Sequence, residues 1–235
     1  MTPDLMPNLI QETTPLSTTW IWDPFVRLFH WAIVLLLAFS WWSGEQHDME
    51  RHRLSGYAVL ALIVFRVIWG FVGPRTARFS SFVRGPAAVA AYVRTMGSRT
   101  GRPSHGHNPL GGWSVVAMLA VLAVMVTAGL FAVDVDGLES GPLADYISFD
   151  QGRTAAEVHE IVFNVVLGVV ALHVVAILFY LVWKRQNLVR PMVTGQRAVL
   201  EGEAPAEMRW SVVGALVALA IGAAVAWAVS TGFRF

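Results

Sequence analysis

The sequence contains no cysteine and few charged residues. Cysteine is absent from all 235 positions, which excludes disulfides, thiolate metal sites, iron–sulfur clusters and covalently attached c-type haem. Only 14% of the residues are charged, whereas 55% are hydrophobic. The formal net charge of +1 argues against nucleic acid as a partner. A soluble core of this size cannot bury so much apolar surface, so these proportions predict an integral membrane protein in contact with lipid.

Five apolar runs approach the length of about 20 residues that crosses a bilayer as a helix. They are Phe25–Ser43, Leu54–Val72, Trp113–Val133, Val158–Trp183 and Trp210–Val229. Each run must be helical in lipid, because no water is present there to satisfy backbone N–H and C=O groups. The predicted fold is therefore all-α, an integral membrane helix bundle. A further short helix, Pro86–Met96, is predicted to lie on the inner surface.

The orientation of the spans follows from the basic residues in the connections between them. The second–third and fourth–fifth connections together hold eleven Lys and Arg residues, against three in the other two. The N-terminus is therefore predicted to be cytoplasmic and the C-terminus periplasmic, in the inner membrane of a bacterium. The third–fourth connection is acidic and would face outward. The first twenty residues are polar and carry no Lys or Arg, so they do not resemble a signal peptide.

Four of the seven histidines fall in or at the start of predicted spans, where ionisable groups are costly and usually functional. His159 and His173 are fourteen residues apart, which is about 21 Å along a helix and about 40° short of four full turns. They therefore lie on one helix face at two depths. The antiparallel order of the spans places His52, near the start of the second span, level with His159, near the start of the fourth. It places His30 level with His173.

Two facing imidazoles at each of two depths predict two haems, each bound by two histidines and held without a covalent link, as in b-type cytochromes. A zinc or copper site would need three or four converging ligands. Arg66 lies fourteen residues after His52, and no span offers an Asp or Glu at its depth, so we expect it to bind a haem propionate. Gly56, one turn after His52, would let a porphyrin approach the helix backbone.

Each of these residues also has a simpler interpretation. A single histidine in a span can be a core residue bonded to a backbone carbonyl, and Arg66 can extend its charge to the membrane interface. His47, His105 and His107 are expected to be loop residues rather than ligands. The whole chain can alternatively be a carrier or a non-redox membrane anchor. Carriers tend to have broken helices and carboxylates at mid-membrane, which these spans lack, and an anchor leaves the four histidines unexplained.

The sequence also resembles a known family from about Trp22 to Arg197. The residues that carry the resemblance are Trp22-Asp23-Pro24, His30-Trp31, His52 with Gly56-Tyr57, Arg66 with Trp69-Gly70, Gly106-His107-Asn108-Pro109, the pair His159 and His173, and Asn187-Leu188-Val189-Arg190. Together they are similar to the bacterial cytochrome b561 and nickel–iron-hydrogenase b-type cytochrome family. That resemblance implies a four-helix diheme bundle whose haem ligands fall on the four histidines already paired by spacing.

The resemblance also implies a function: electron transfer between the quinone pool and a periplasmic partner, such as a c-type cytochrome, a hydrogenase-like enzyme or another dehydrogenase. An alternative is a quinone reductase that uses a small oxidant of the superoxide type. Hydrogenase cytochromes usually have four spans, whereas this sequence predicts a fifth. We therefore divide the chain into a tail (1–20), a four-helix diheme domain (21–197), and a linker with the fifth span (198–235). Candidate proton carriers are His105, His107 and Asp23 at the inner face, and Glu157, Glu160 and Asp134 at the outer face.

Overall fold

The computed structural model describes residues 18–99, 104, 106–199 and 208–234. Most of the predicted tail, His105 and most of the predicted linker therefore lie outside the described residues. In chain order the elements are β1 (Thr18–Trp20), α1 (Pro24–Glu45), α2 (Met49–Val72), α3 (Phe79–Phe82), α4 (Pro86–Thr95), α5 (Pro109–Phe131), α6 (Phe149–Val182), α7 (Val189–Thr194), β2 (Gln196–Ala198) and α8 (Val212–Ser230). Five described helices (α1, α2, α5, α6 and α8) are long and apolar enough to cross a membrane. The predicted all-α membrane bundle is confirmed.

Three of the spanning helices, α2, α5 and α6, begin four or more residues earlier than the apolar runs predict. α6 begins at Phe149, because Ser148 accepts a hydrogen bond from the backbone N–H of Gln151 while the Gln151 side chain bonds the backbone of Ser148. His159 is therefore the eleventh residue of α6 and does not lie at its start. α2 likewise begins at Met49, after an Asp48 cap, so His52 is its fourth residue. Apolar runs locate only the part of a helix that lies in lipid, and these helices extend beyond it.

Four of the spanning helices share one core. Its buried members are contributed by α1, α2, α5 and α6: Ile33, Val59, Ile63, Leu122, Val126 and Val166. The fifth spanning helix, α8, packs along α2 through a stripe of small buried residues that includes Ala218 and Gly222. A Cβ built on Gly222 would lie 2.4 Å from the backbone oxygen of Ala61. The backbones of α8 and α2 therefore approach as closely as only glycine permits.

A short antiparallel ribbon, which the sequence analysis does not predict, joins the two ends of the four-helix unit. β1 pairs with β2 so that Thr18 faces Ala198 and Trp20 faces Gln196. The backbone N–H groups of Ile21 and Trp22 both donate to the Gly195 oxygen, at 2.8 and 3.1 Å. β1 lies at the end of the predicted tail, and β2 crosses the boundary predicted between residues 197 and 198. Strands of three residues carry too little alternation to be recognised in the sequence.

The predicted inner-surface helix is present as α4, and none of its residues is buried. Its Tyr92 hydroxyl contacts the hydroxyl of Tyr180, near the C-terminal end of α6. Just after α4, the Gly97 oxygen accepts a hydrogen bond of 3.0 Å from the Trp183 indole N–H. Asn108, which caps α5, also donates to the Tyr180 hydroxyl at 2.9 Å. These contacts hold α4 and the start of α5 against the C-terminal end of α6.

Candidate functional site

The predicted outer histidine pair is formed. His52 on α2 and His159 on α6 have ring centres 5.9 Å apart and ring planes inclined at 80°. Nδ1 of His52 lies 2.9 Å from the backbone oxygen of Ser40 on α1, and Nδ1 of His159 lies 2.8 Å from that of Met125 on α5. A carbonyl only accepts hydrogen bonds, so each Nδ1 carries the proton and each Nε2 keeps its lone pair. Metal-bound histidines are commonly oriented in this way.

Two glycines make room for the outer imidazoles, and the sequence analysis missed both. A Cβ built on Gly44 would lie 3.3 Å from Nδ1 of His52. A Cβ built on Gly129 would lie only 2.9 Å from Cε1 of His159. Each imidazole therefore occupies space that a larger residue on the neighbouring helix would take. Their role depends on how α1 and α5 rotate against the histidine-bearing helices, which the sequence does not reveal.

The predicted inner pair is also formed. His30 on α1 and His173 on α6 have ring centres 6.3 Å apart and ring planes inclined at 53°. Trp31 packs edge-on against His30 at 5.0 Å. Unlike the outer histidines, His30 has a buried Nδ1 atom with no hydrogen-bond partner among the described residues. The inner pair is thus assembled but less firmly oriented by the protein.

The ring separations test whether each pair fits a shared iron atom. A metal–imidazole nitrogen bond is about 2.0 Å, and the nitrogen lies roughly 1.1 Å from its ring centre, so two opposed ligands have centres about 6 Å apart. The observed 5.9 and 6.3 Å match this separation. In the described part of the chain, no group of three or more His, Cys, Asp or Glu side chains is placed to hold a bare metal ion. Two ligands per site suit haem, whose macrocycle supplies the remaining ligands.

Arg66 is buried in the protein, with 2% of its surface exposed, so its side chain does not extend to the membrane interface. Its guanidinium lies over the Phe79 ring at 5.0 Å. Its Nη1 atom has no hydrogen-bond partner within the described ranges. A buried cation in this state requires an anion, and a haem propionate fits that requirement.

The structure adds an acid near Arg66 that the search within the spans did not find. Asp23 is fully buried at the start of α1. Its Oδ1 accepts hydrogen bonds from the backbone of Phe25 and Val26 and from the Trp69 indole, whereas its buried Oδ2 has no described partner. Burial raises the pKa of Asp23, and these hydrogen bonds and the Arg66 charge oppose that rise. Asp23 and Arg66 therefore interact by longer-range electrostatic attraction and do not form a direct ion pair.

His107 lies in the loop before α5, as the sequence analysis expects, but its ring is packed against other residues. Its ring packs between those of Trp22 and Phe82, with centres 4.5 and 4.6 Å away. Its Nδ1 is buried and has no partner in the part of the chain that the structure describes. Burial, with the nearby Arg66 and His173 adding to the effect, lowers the pKa of His107 to about 3. His107 is therefore a neutral, enclosed residue close to the inner pair.

Gly56 faces open space, because a Cβ built there would meet no described atom within 4 Å. This is compatible with a macrocycle beside His52, and the role of Gly56 stays a prediction. Of the candidate proton carriers, Glu157 and Glu160 are exposed and Asp134 is partly buried.

A bundle of membrane helices that holds two imidazole pairs at two depths is the arrangement of a b-type membrane cytochrome. The family model of prokaryotic cytochrome b561 matches residues 21–195, so the chain belongs to the prokaryotic cytochrome b561 family, as its resemblance implies. The match covers α1 to α7 and ends before α8. No curated protein and no solved structure matches the chain. The chain is thus a multi-pass membrane protein of a family of haem-binding, electron-transferring cytochromes.

Proposed function

We propose that the chain binds two b haems and transfers electrons between a periplasmic redox partner and the quinone pool of a bacterial inner membrane, as part of a respiratory chain. His52 and His159 would hold the outer haem, and His30 and His173 the inner one. The main support is that both imidazole pairs have the separation of two ligands on one iron. Haem supplies one-electron oxidation and reduction, and two histidine ligands leave no open iron position for oxygen.

The protein environments of the two sites differ in a way that favours inward electron flow. The hydrogen bonds that both outer imidazoles donate to carbonyl oxygens make these imidazoles more basic. A more basic ligand would stabilise oxidised haem iron and lower the reduction potential of the outer haem. The inner site lacks such a bond at His30 and has the buried positive charge of Arg66 nearby. A nearby cation stabilises the reduced state. We therefore expect the inner site to have the higher potential and quinone to react at the inner face, with Asp23 as the candidate proton carrier.

The outer surface supports a partner with a basic face. After α5 the chain forms a small hairpin closed by the pairing of Val133 with Ser140. Glu139, on this hairpin, forms an ion pair with Arg53 on α2, the residue after His52. The hairpin also carries Asp134 and Asp136, so negative charge lies beside the outer site. Such charge would steer a cationic c-type cytochrome or dehydrogenase towards it, with the N-terminus of the chain cytoplasmic and the C-terminus periplasmic.

The proposal is tested by haem content and ligand replacement in the purified, full-length protein. We expect a low-spin b-type spectrum and two haems per chain. His30→Ala and His173→Ala should each remove one haem and leave the same residual spectrum, and His52→Ala and His159→Ala should leave the other. His47→Ala is a matched control, because His47 is an exposed loop residue.

Three results would change the proposal. If His30→Ala and His52→Ala left the same residual haem, the pairing would be wrong. A folded but colourless protein would favour a non-redox anchor or carrier. In proteoliposomes containing quinone, reduction of quinone to quinol by two superoxide ions, which are oxidised to oxygen, in the absence of any protein partner would favour the superoxide-type quinone reductase.

A further inference from the structure

Asp134 Oδ1, in the connection after α5, is a buried polar atom without a described partner, but several others lie at the inner end of the bundle. They include Asp23 Oδ2, His30 Nδ1, Arg66 Nη1 and His107 Nδ1, each without a hydrogen-bond partner among the described residues. Unpartnered buried polar atoms are costly and rare in folded proteins. At the outer pair, by contrast, both Nδ1 atoms are bonded to carbonyls. The inner end therefore has the polar groups of a binding site whose ligand brings its own hydrogen-bonding atoms.

The position of His107 in this group is fixed by its surroundings. The rings of Trp22 and Phe82 enclose it. Gly106 precedes it with φ of +94°, a conformation that favours glycine. The next residue, Asn108, accepts a hydrogen bond of 2.7 Å from the Gly111 backbone at the start of α5. The loop thus holds His107 in place. Its ring packs on Phe82, Phe82 packs on Phe79 at 5.7 Å, and the Arg66 guanidinium lies over Phe79 at 5.0 Å, so His107 and Arg66 border one aromatic cluster.

We propose that His107 and Arg66 together form a carboxylate site that holds a propionate of the inner haem. Arg66 is a buried cation with no ion pair among the described residues, so its ligand must be an anion. A neutral imidazole has one N–H and can donate it to the same carboxylate. A quinone carbonyl would accept that hydrogen bond but would bring no negative charge to pair with Arg66. This inference rests on the proposed binding of haem by His30 and His173.

His107→Phe is the informative variant. Phenylalanine keeps the aromatic packing between Trp22 and Phe82 and removes both ring nitrogens. We expect inner-haem affinity to fall about 10-fold, at the lower end of losses known for groups that support metal ligands. The inner midpoint potential should fall, because the propionate charge would be less well stabilised, and the resonance Raman band of propionate bending should shift. His107→Gln, which keeps a donor, should stay close to the wild type, and His47→Asn, which tolerates the backbone φ of +57° at that exposed position, should leave the inner haem unchanged.

The same variant in a His30→Ala background separates ligand binding from packing. Without the inner haem, removing an unpartnered buried nitrogen should leave thermal stability unchanged or raise it. If His107→Phe destabilises this background, or leaves the affinity, potential and Raman band of the inner haem unchanged, the carboxylate site is refuted while the haem assignment stands. A change in quinone affinity alone would also refute it and indicate a quinone contact. If the wild type lacks an inner haem, both proposals fail.

Discussion

Replacement of glycines beside the outer histidines provides a graded test of the haem assignment. Gly129→Ala would place a Cβ 2.9 Å from His159 Cε1, about 0.5 Å short of the 3.4 Å at which ordinary contact begins. The ring cannot move away freely, because its Nδ1 is bonded to Met125 on the same helix as Gly129. We therefore expect the imidazole to be displaced by a few tenths of an ångström.

Displacement of an axial ligand should weaken the outer haem selectively. Disturbing the groups that orient metal ligands typically costs 10- to 100-fold in affinity, and we expect Gly129→Ala to fall in this range. Gly44→Ala should have a smaller effect, because its Cβ would lie 3.3 Å from the His52 ring. Gly56→Ala should weaken the outer haem only if a macrocycle fills the open space that the structure leaves there.

Gly168→Ala is the matched control on α6. A Cβ there meets no described atom within 4 Å, and the residue lies about 180° around the helix from His159. Alanine at this position should stabilise the helix by up to about 1 kcal/mol and leave both haems unchanged. The measurements are haem-to-protein ratio after detergent dilution, redox titration and thermal unfolding. If Gly129→Ala and Gly168→Ala retain the outer haem equally well, or if Gly129→Ala loses the inner haem, the assignment of the outer site is wrong.

Three further predictions concern the scaffold. Gly222→Leu should disturb the contact of α8 with α2, lower the free energy of unfolding by about 1–3 kcal/mol and leave both haems bound. Ala224→Leu, on the exposed face of α8, should leave stability unchanged. Thermal unfolding followed by tryptophan fluorescence would report the loss of stability, and haem absorbance would report haem retention. Asp23→Ala should lower stability by about 0.5–2 kcal/mol through loss of the α1 cap, and Asp23→Asn should keep the cap. Burial raises the pKa of Asp23 in the folded protein above its ordinary value of 3.8. Ionisation of Asp23 therefore favours the unfolded state and lowers the stability of the wild type as pH rises above 3.8. Asp23→Asn has no such ionisation, so its stability relative to the wild type should increase over the same pH range. Glu139→Gln should change stability by less than about 1 kcal/mol, because its ion pair with Arg53 is exposed; a larger loss of thermal stability would show that the outer hairpin is more tightly coupled to the bundle.

The histidine pairs could be predicted because a membrane reduces the folding problem. Helices must run roughly along one axis, and basic residues fix their direction, so sequence position translates into depth. His159 and His173 share a helix face by their spacing alone, and topology then selects His52 and His30 as partners. The structure brings together the same pairs.

The start of α6 was also readable in the sequence but was missed. The residues Ser148 to Gln151 form a capping pattern that lies outside the apolar run. The environment of His107, by contrast, could not be predicted from the sequence, because it depends on a tertiary contact. Trp22 and Phe82, which pack against His107, come from distant parts of the chain. The roles of Gly44 and Gly129 likewise depend on helix rotation. No local pattern reports either of these features.

Each of the two histidine pairs takes one member from α6, the fourth membrane helix in chain order. During synthesis, a nascent chain that has inserted only α1, α2 and α5 can offer each of the two proposed haems a single histidine. The outer site additionally draws on all four helices, because α1 and α5 supply the carbonyls that orient its imidazoles. Cofactor loading must therefore be a late event in biogenesis, and a ribosome-arrested product that ends before α6 should remain colourless.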